Sequence, residues 1–147
     1  MQKRLPPRKV LYGGAMLDQK EIDAVVQVMQ KGMAVGKQVQ TFEKRCAEVM
    51  GHKYGVMVNS GSSALMLAMR MLNLPKGSEV ITPVLTFSTD VASIVHAGYV
   101  PAFVDVELDT LNFDVSKLEA ALTPKTRMVM AVSILGNPCA LDVMRAF

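Results

Sequence analysis

Apolar residues recur at helical spacing early in the chain. Ile22, Val25, Val26 and Met29 fall on one face. Asp18 stands ahead of them as an N-cap, with Glu21 three positions on as in a capping box, and Gly32 ends the run. Phe42, Cys46, Val49 and Met50 repeat that spacing until Gly51 stops it. Two helices thus precede any strand. At residues 54–58 the pattern becomes a short, nearly continuous apolar run, as expected of a strand buried on both faces of a parallel sheet. Residues 63–72 then read as a helix of Ala, Leu and Met with Arg70 its only charge, expected to be mostly buried and to end near Asn73 and Pro75.

The alternation continues with a strand at 79–82, a loop at 83–86, a helix at 88–96 stopped by Gly98, and a strand at 102–106. A helix at 115–122, a strand at 127–133, a Gly136-Asn137-Pro138 turn and a last helical piece from Leu141 follow. Strands separated by helices of this length predict right-handed βαβ units: an α/β fold with a mostly parallel sheet and flanking helices. The last piece, from Leu141 to Phe147, opens an apolar-periodic helix without a cap, so the chain is expected to be a fragment truncated at its C-terminus.

Composition narrows the function classes. With 147 residues, 50% hydrophobic and 20% charged, the chain suits one soluble domain, and no repeat interrupts it. The net charge of +3 is slight and partly gathered in Lys3, Arg4, Arg8 and Lys9 around Pro6 and Pro7, so residues 1–17 read as an N-terminal arm. Nucleic acid is disfavoured as a partner, because that needs a wider basic face and more than 5% aromatics. Only Val10, Leu11 and Tyr12 separate the basic residues from Gly13, too few for an export signal. The apolar run from Met128 to Leu135 is too short to span a membrane, so a cytoplasmic protein is expected. Cys46, Cys139, His52 and His96 are isolated and suggest no metal site, and the methionines are assigned mostly to packing.

In an open α/β sheet ligands bind beyond the carboxyl ends of the strands. Three turns qualify, at residues 59–63, 83–87 and 136–138. In the first, Gly61 would let the backbone bend tightly. The amides around Ser62 and Ser63 would open a helix with unpaired N–H groups and its positive dipole end outward, and the hydroxyls of Ser60, Ser62 and Ser63 add donors. Such a turn can hold a phosphate monoester without a lysine. An ordinary turn whose serines cap the helix explains the same residues. It is neither a Walker loop nor a GxGxxG fingerprint. Phe87, just past a strand, could stack on a flat ligand or fill the core.

The ordered series Gly36, Phe42-Glu43, Gly51, Asn59-Ser60-Gly61-Ser62-Ser63-Ala64-Leu65, Gly77-Ser78-Glu79-Val80-Ile81-Thr82-Pro83, Val104-Asp105-Val106, Leu118-Glu119, Thr123-Pro124-Lys125-Thr126 and Leu135-Gly136-Asn137-Pro138 resembles the DegT/StrS family of pyridoxal-phosphate-dependent sugar aminotransferases. The resemblance implies that residues 18–147 are the N-terminal part of the large cofactor-binding domain of a fold-type-I transferase that works as a homodimer. It implies pyridoxal 5′-phosphate as cofactor, with Gly61, Ser62 and Ser63 on its phosphate, Phe87 stacked on its ring and Asn137 nearby. The implied reaction moves an amino group, typically from glutamate, to a keto group on a nucleotide-linked sugar. In that family the lysine that joins the cofactor and the acid that pairs with its pyridine nitrogen lie beyond the Gly-Asn-Pro turn. No lysine of this chain sits in that motif, so no catalytic residue is nominated and the chain alone is expected to be inactive.

Ser133 replaces a frequent histidine of the family, and Ala140 a frequent aspartate. The Leu-Gly-Asn-Pro form resembles a branch that dehydrates deoxysugars at carbon 3, so dehydratase stands beside aminotransferase. A noncatalytic α/β module that binds a phosphorylated ligand is the alternative from another class.

Overall fold

The computed structural model describes residues 13–32, 34 and 36–146, so the basic cluster of the arm lies outside the described residues. The chain divides into two compact units, Met1–Met57 and Val58–Phe147.

The first unit holds α1 (Gln19–Lys31) and α2 (Lys37–Val49). The expected capping box is present. Asp18 accepts the N–H of Lys20 at 2.8 Å, and Glu21 accepts that of Asp18 at 2.8 Å. A side-chain hydrogen bond with Glu21 foremost, and then the Lys20 N–H, hold the Asp18 carboxyl below the usual carboxylate range. Residues 54–58 form no strand, which corrects the reading of their apolar run. A strand exists only through a ladder to a neighbour, and among the described residues none pairs with this segment. Tyr54 and Val56 are 75% and 73% exposed. The segment is fastened to α2 instead, where the Glu43 carboxylate accepts the Met57 N–H at 2.9 Å.

Gly55 makes that fastening possible. A Cβ there would stand 2.5 Å from the Glu43 carbonyl oxygen, a contact with backbone that no rotamer relieves. Gly55→Ala is expected to cost about 1–3 kcal/mol in urea unfolding. Wild-type stability in that variant would show that residues 54–58 do not lie against α2.

The second unit contains α3 (Gly61–Met71), β1 (Glu79–Pro83), α4 (Ser88–His96) and β2 (Val100–Val104). It continues with a 3₁₀ turn at Val115–Lys117, α5 (Leu118–Ala121), β3 (Thr126–Val129), a second 3₁₀ turn at Ile134–Gly136, and α6 (Leu141–Ala146). The sheet runs β2-β1-β3 with both pairings parallel, as the alternating sequence predicts. β1 is central, and its alternating side chains serve two cores. Val80 packs with Met69, Ile94, Tyr99 and Met130, while Ile81 packs with Val104, Phe113 and Leu118. Each such fully buried aliphatic contributes about 1.5–3 kcal/mol.

Several boundaries moved for identifiable reasons. β2 begins two residues early because Gly98, at φ +84, ends α4 so abruptly that the Val100 N–H already meets the Ser78 carbonyl at 2.9 Å. Val106 bridges antiparallel to Phe113 instead of extending β2. β3 is short, and the Met130 N–H donates to the Ile81 carbonyl at 2.8 Å just past its end. The helix expected at 115–122 starts as a 3₁₀ turn capped by Asp114, which accepts the Ser116 N–H at 3.1 Å. In α3 only Met69 is buried, so the helix is less enclosed than its composition suggests.

Lys117 lies 3.3 Å from Asp105 and 3.2 Å from Asp114. The Val106 N–H and then Lys117 hold the Asp105 carboxyl below the usual range, and Ser116 foremost does the same for Asp114.

Thr82, on the Val80 side of β1, is fully buried, and its hydroxyl has no hydrogen-bond partner among the described residues. An unpaired buried hydroxyl is a cost that an isosteric methyl removes. Thr82→Val is therefore expected to leave stability unchanged or raise it by about 1 kcal/mol in chemical denaturation. A clear loss would show that the hydroxyl has a partner.

Candidate functional site

β1 delivers the chain to Phe87, which serves as the N-cap residue of α4, and α3 begins at Gly61 across an open cleft of about 570 Å³. The lining is Gly61, Ser62, Ala64, Leu65, Phe87, Thr89 and Asp90. Two separately predicted turns are thus brought together beyond the carboxyl end of the central strand, where an α/β sheet places its ligands.

The opening of α3 is built by Ser60. Its backbone is extended at φ −163°, and its side chain accepts the Ser63 N–H at 3.2 Å while its hydroxyl donates to Ser63 Oγ at 3.1 Å. The Ser63 amide is therefore already used, and Ser63 is not among the cleft-lining residues. The N–H groups of Gly61 and Ser62 have no acceptor among the described residues, and both residues line the cleft at the positive end of an 11-residue helix.

Gly61 earns its place differently from the expected tight bend. It is the first residue of α3 and has no positive φ, so the backbone does not demand glycine. Nothing lies within 4 Å of where its Cβ would stand. That open volume beside two free N–H donors is the shape an anion needs.

Phe87 is 68% exposed and belongs to neither core, so its ring is available as a flat wall of the cleft. Asn137 is not among the cleft-lining residues, and its side-chain amide donates to the Thr110 carbonyl at 2.9 Å. No lysine lines the cleft among the described residues.

Two polar residues escaped the sequence reading. Asp90 is 8% exposed, lines the cleft and accepts a hydrogen bond from the Thr86 hydroxyl. Asn112, also buried, donates to the carbonyls of Asn137 and Pro138, both at 3.1 Å, and accepts the Ile134 N–H at 3.2 Å. Asn112 lies far in sequence from the turn it fastens, so local pattern holds no trace of it.

The family profile described as the DegT/DnrJ/EryC1/StrS aminotransferase family matches residues 15–147. The chain belongs to this family. Among curated DegT/StrS relatives it is 40% identical to the spore coat polysaccharide biosynthesis protein SpsC of Bacillus subtilis, over 92% of the chain and 35% of that protein. It is 39% identical to the GDP-4-keto-6-deoxy-D-mannose 3-dehydratase of Yersinia pseudotuberculosis, over 86% of the chain and 34% of that protein. A solved GDP-4-keto-6-deoxymannose-3-dehydratase, with a trapped PLP–glutamate geminal diamine, superposes with a TM-score of 0.85 at 32% identity, over 94% of this chain and 38% of that one. The chain spans about a third of the length of the curated relatives it matches.

The fold is that of part of a fold-type-I pyridoxal-phosphate enzyme. The cofactor of the DegT/StrS family is pyridoxal 5′-phosphate. The donor set fits that group: two free N–H groups and a serine hydroxyl suit its phosphate, and an exposed aromatic face suits its ring.

Proposed function

We propose that the cleft is the phosphate-and-ring half of the cofactor site of a nucleotide-sugar enzyme. The observation that carries this reading is the pair of free N–H groups on Gly61 and Ser62, opening into the same cleft as the exposed Phe87 ring. Gly61 and Ser62 would bind the phosphate of pyridoxal 5′-phosphate. Ser63 would hold the turn through Ser60, and Phe87 would cover one face of the pyridine ring. When bound, the cofactor supplies an electron sink for bonds at an attached amine. The chain's own residues orient it and fix its phosphate, and catalysis is assigned to none of them.

The parent activity we propose is amino transfer, from a donor such as glutamate, to a keto group on a nucleotide-linked sugar, carried out by a cytoplasmic homodimer. An amphipathic α1 with no buried residue supports the dimer, since its Ile22, Val25 and Met29 are left exposed. Dehydration of a deoxysugar at carbon 3 is the second reading. It is favoured by the Leu135-Gly136-Asn137-Pro138 form and by the likeness to two 3-dehydratases.

The test is a fluorescence titration with pyridoxamine 5′-phosphate, which has no aldehyde to react with surface lysines, with inorganic phosphate as competitor. Saturable binding displaced by phosphate is expected. Gly61→Ala separates this site from a simple capping turn. At the first position of a helix alanine is tolerated or stabilising by up to about 1 kcal/mol, yet its methyl enters the phosphate volume. The variant should unfold at or above the wild-type urea midpoint and bind pyridoxamine phosphate about tenfold more weakly. Unchanged binding would place the phosphate elsewhere.

A further inference from the structure

Phe87 is asked to present a ring at a fixed place, yet it is exposed and unsupported by either core. Its backbone, by contrast, is fastened on both sides. The Thr86 hydroxyl donates to Asp90 Oδ2, the Asp90 N–H donates to the Phe87 carbonyl at 2.9 Å, and the buried Ser93 hydroxyl donates to the Asp90 carbonyl at 2.8 Å. Asp90 is the third residue of α4, where a carboxyl also complements the helix dipole, and it is buried although it lines the cleft. A buried acid there is costly unless it is hydrogen-bonded, and the partner it has is the residue immediately before Phe87.

We infer that the Thr86–Asp90 hydrogen bond is a positioning clasp that holds Phe87 as the stacking wall of the cleft, so that Thr86 and Asp90 set affinity for the cofactor's ring without touching its phosphate. This rests on the cofactor reading of the cleft. The clasp closes a loop of five residues around Phe87. Opening it frees the Phe87 backbone to sample other conformations, and the ring then loses entropy on binding that the clasped form has already lost. The phosphate half, built by Ser60, Gly61 and Ser62 on α3, has no bond to the clasp.

The experiment measures pyridoxamine 5′-phosphate affinity by fluorescence, and inorganic phosphate affinity by competition, on the 147-residue chain and its variants. Thr86→Val is expected to weaken pyridoxamine phosphate about fivefold while leaving phosphate affinity unchanged, and Asp90→Ala, which also removes a carboxylate from the cleft lining, to weaken pyridoxamine phosphate by a similar factor relative to phosphate. Thr86→Ser, which keeps the hydroxyl, should behave as wild type. In a Phe87→Ala background Thr86→Val should have no further effect, because the clasp then has no ring to hold. If Asp90→Ala fails to fold by circular dichroism, Thr86→Val and Thr86→Ser carry the comparison. The inference is overturned if the clasp variants bind as wild type, lose both ligands equally, or still weaken binding without the Phe87 ring. Failure of the wild-type chain to bind pyridoxamine phosphate at all overturns the cofactor reading itself, and the clasp's role with it.

Discussion

Ser62→Asp is expected to abolish measurable cofactor binding while leaving the fold intact. Ser62 is the second residue of α3, half-buried in the cleft wall, and its N–H is one of two free donors. A carboxylate suits the first turn of a helix, so the substitution should not lower stability and could raise it by about 0.3–1 kcal/mol through the dipole. The same carboxylate would stand where a phosphate carrying between one and two negative charges must sit. Two like charges about 4 Å apart at a protein surface repel by several kcal/mol before screening. A loss of pyridoxamine phosphate affinity of well over about tenfold follows. Added salt should restore part of the binding, because screening shortens the reach of the repulsion. Retained binding in a folded Ser62→Asp protein would remove the anion site, whereas loss of both fold and binding would show only that Ser62 is structural. Circular dichroism beside the titration separates the two.

Asn112→Ala should produce a clear loss of stability in the second unit, about 1–3 kcal/mol. One buried side chain satisfies the Ile134 N–H and the carbonyls of Asn137 and Pro138. Truncation leaves all three without their partner; Asn137 and Pro138 are exposed, so water takes over much of their hydrogen bonding, and the cost falls mainly on the half-buried Ile134 N–H and on the packing lost with the buried amide. The bridged segments are themselves under tension, with Leu111 at φ +58 and Leu135 at φ +50, conformations a leucine adopts only when its surroundings compel it. Releasing Asn112 should therefore let the Gly136-Asn137-Pro138 turn relax as well as weaken the unit. Urea unfolding measures the first effect, and hydrogen exchange at the Ile134 and Asn137 amides measures the second. Loss of protection at those two amides is the expected sign, and an Asn112→Ala protein with wild-type stability and exchange would show that water replaces the side chain without cost.

Much of the fold was legible because its signals are local. The capping box at Asp18 and Glu21, the stops at Gly32, Gly51 and Gly98, and the parallel alternation around β1 each depend on residues a few positions apart. The turn that opens α3 was legible in kind but not in detail. Sequence placed serines and a glycine at the head of a helix, but not that Ser60 would take up the Ser63 amide and leave Gly61 and Ser62 to face the cleft. The failure at residues 54–58 has the same origin. Their apolar run satisfies every local criterion for a strand, but a ladder is a property of two segments, and the segment found the side chain of Glu43 instead.

The sequence by itself determined the alternating βα order, the helix boundaries set by caps and glycines, and, through an ordered series of short motifs, membership of the DegT/StrS family. Those features are written in nearest-neighbour spacing, which the chain carries whether folded or not. Only the tertiary structure decided that the turn at Gly61 and the ring of Phe87 share one cleft, that Asp90 is buried beside that cleft, and that Asn112 fastens the Gly136-Asn137-Pro138 turn. Those depend on contacts between residues distant along the chain, whose strength comes from burial, and burial has no counterpart in a linear sequence.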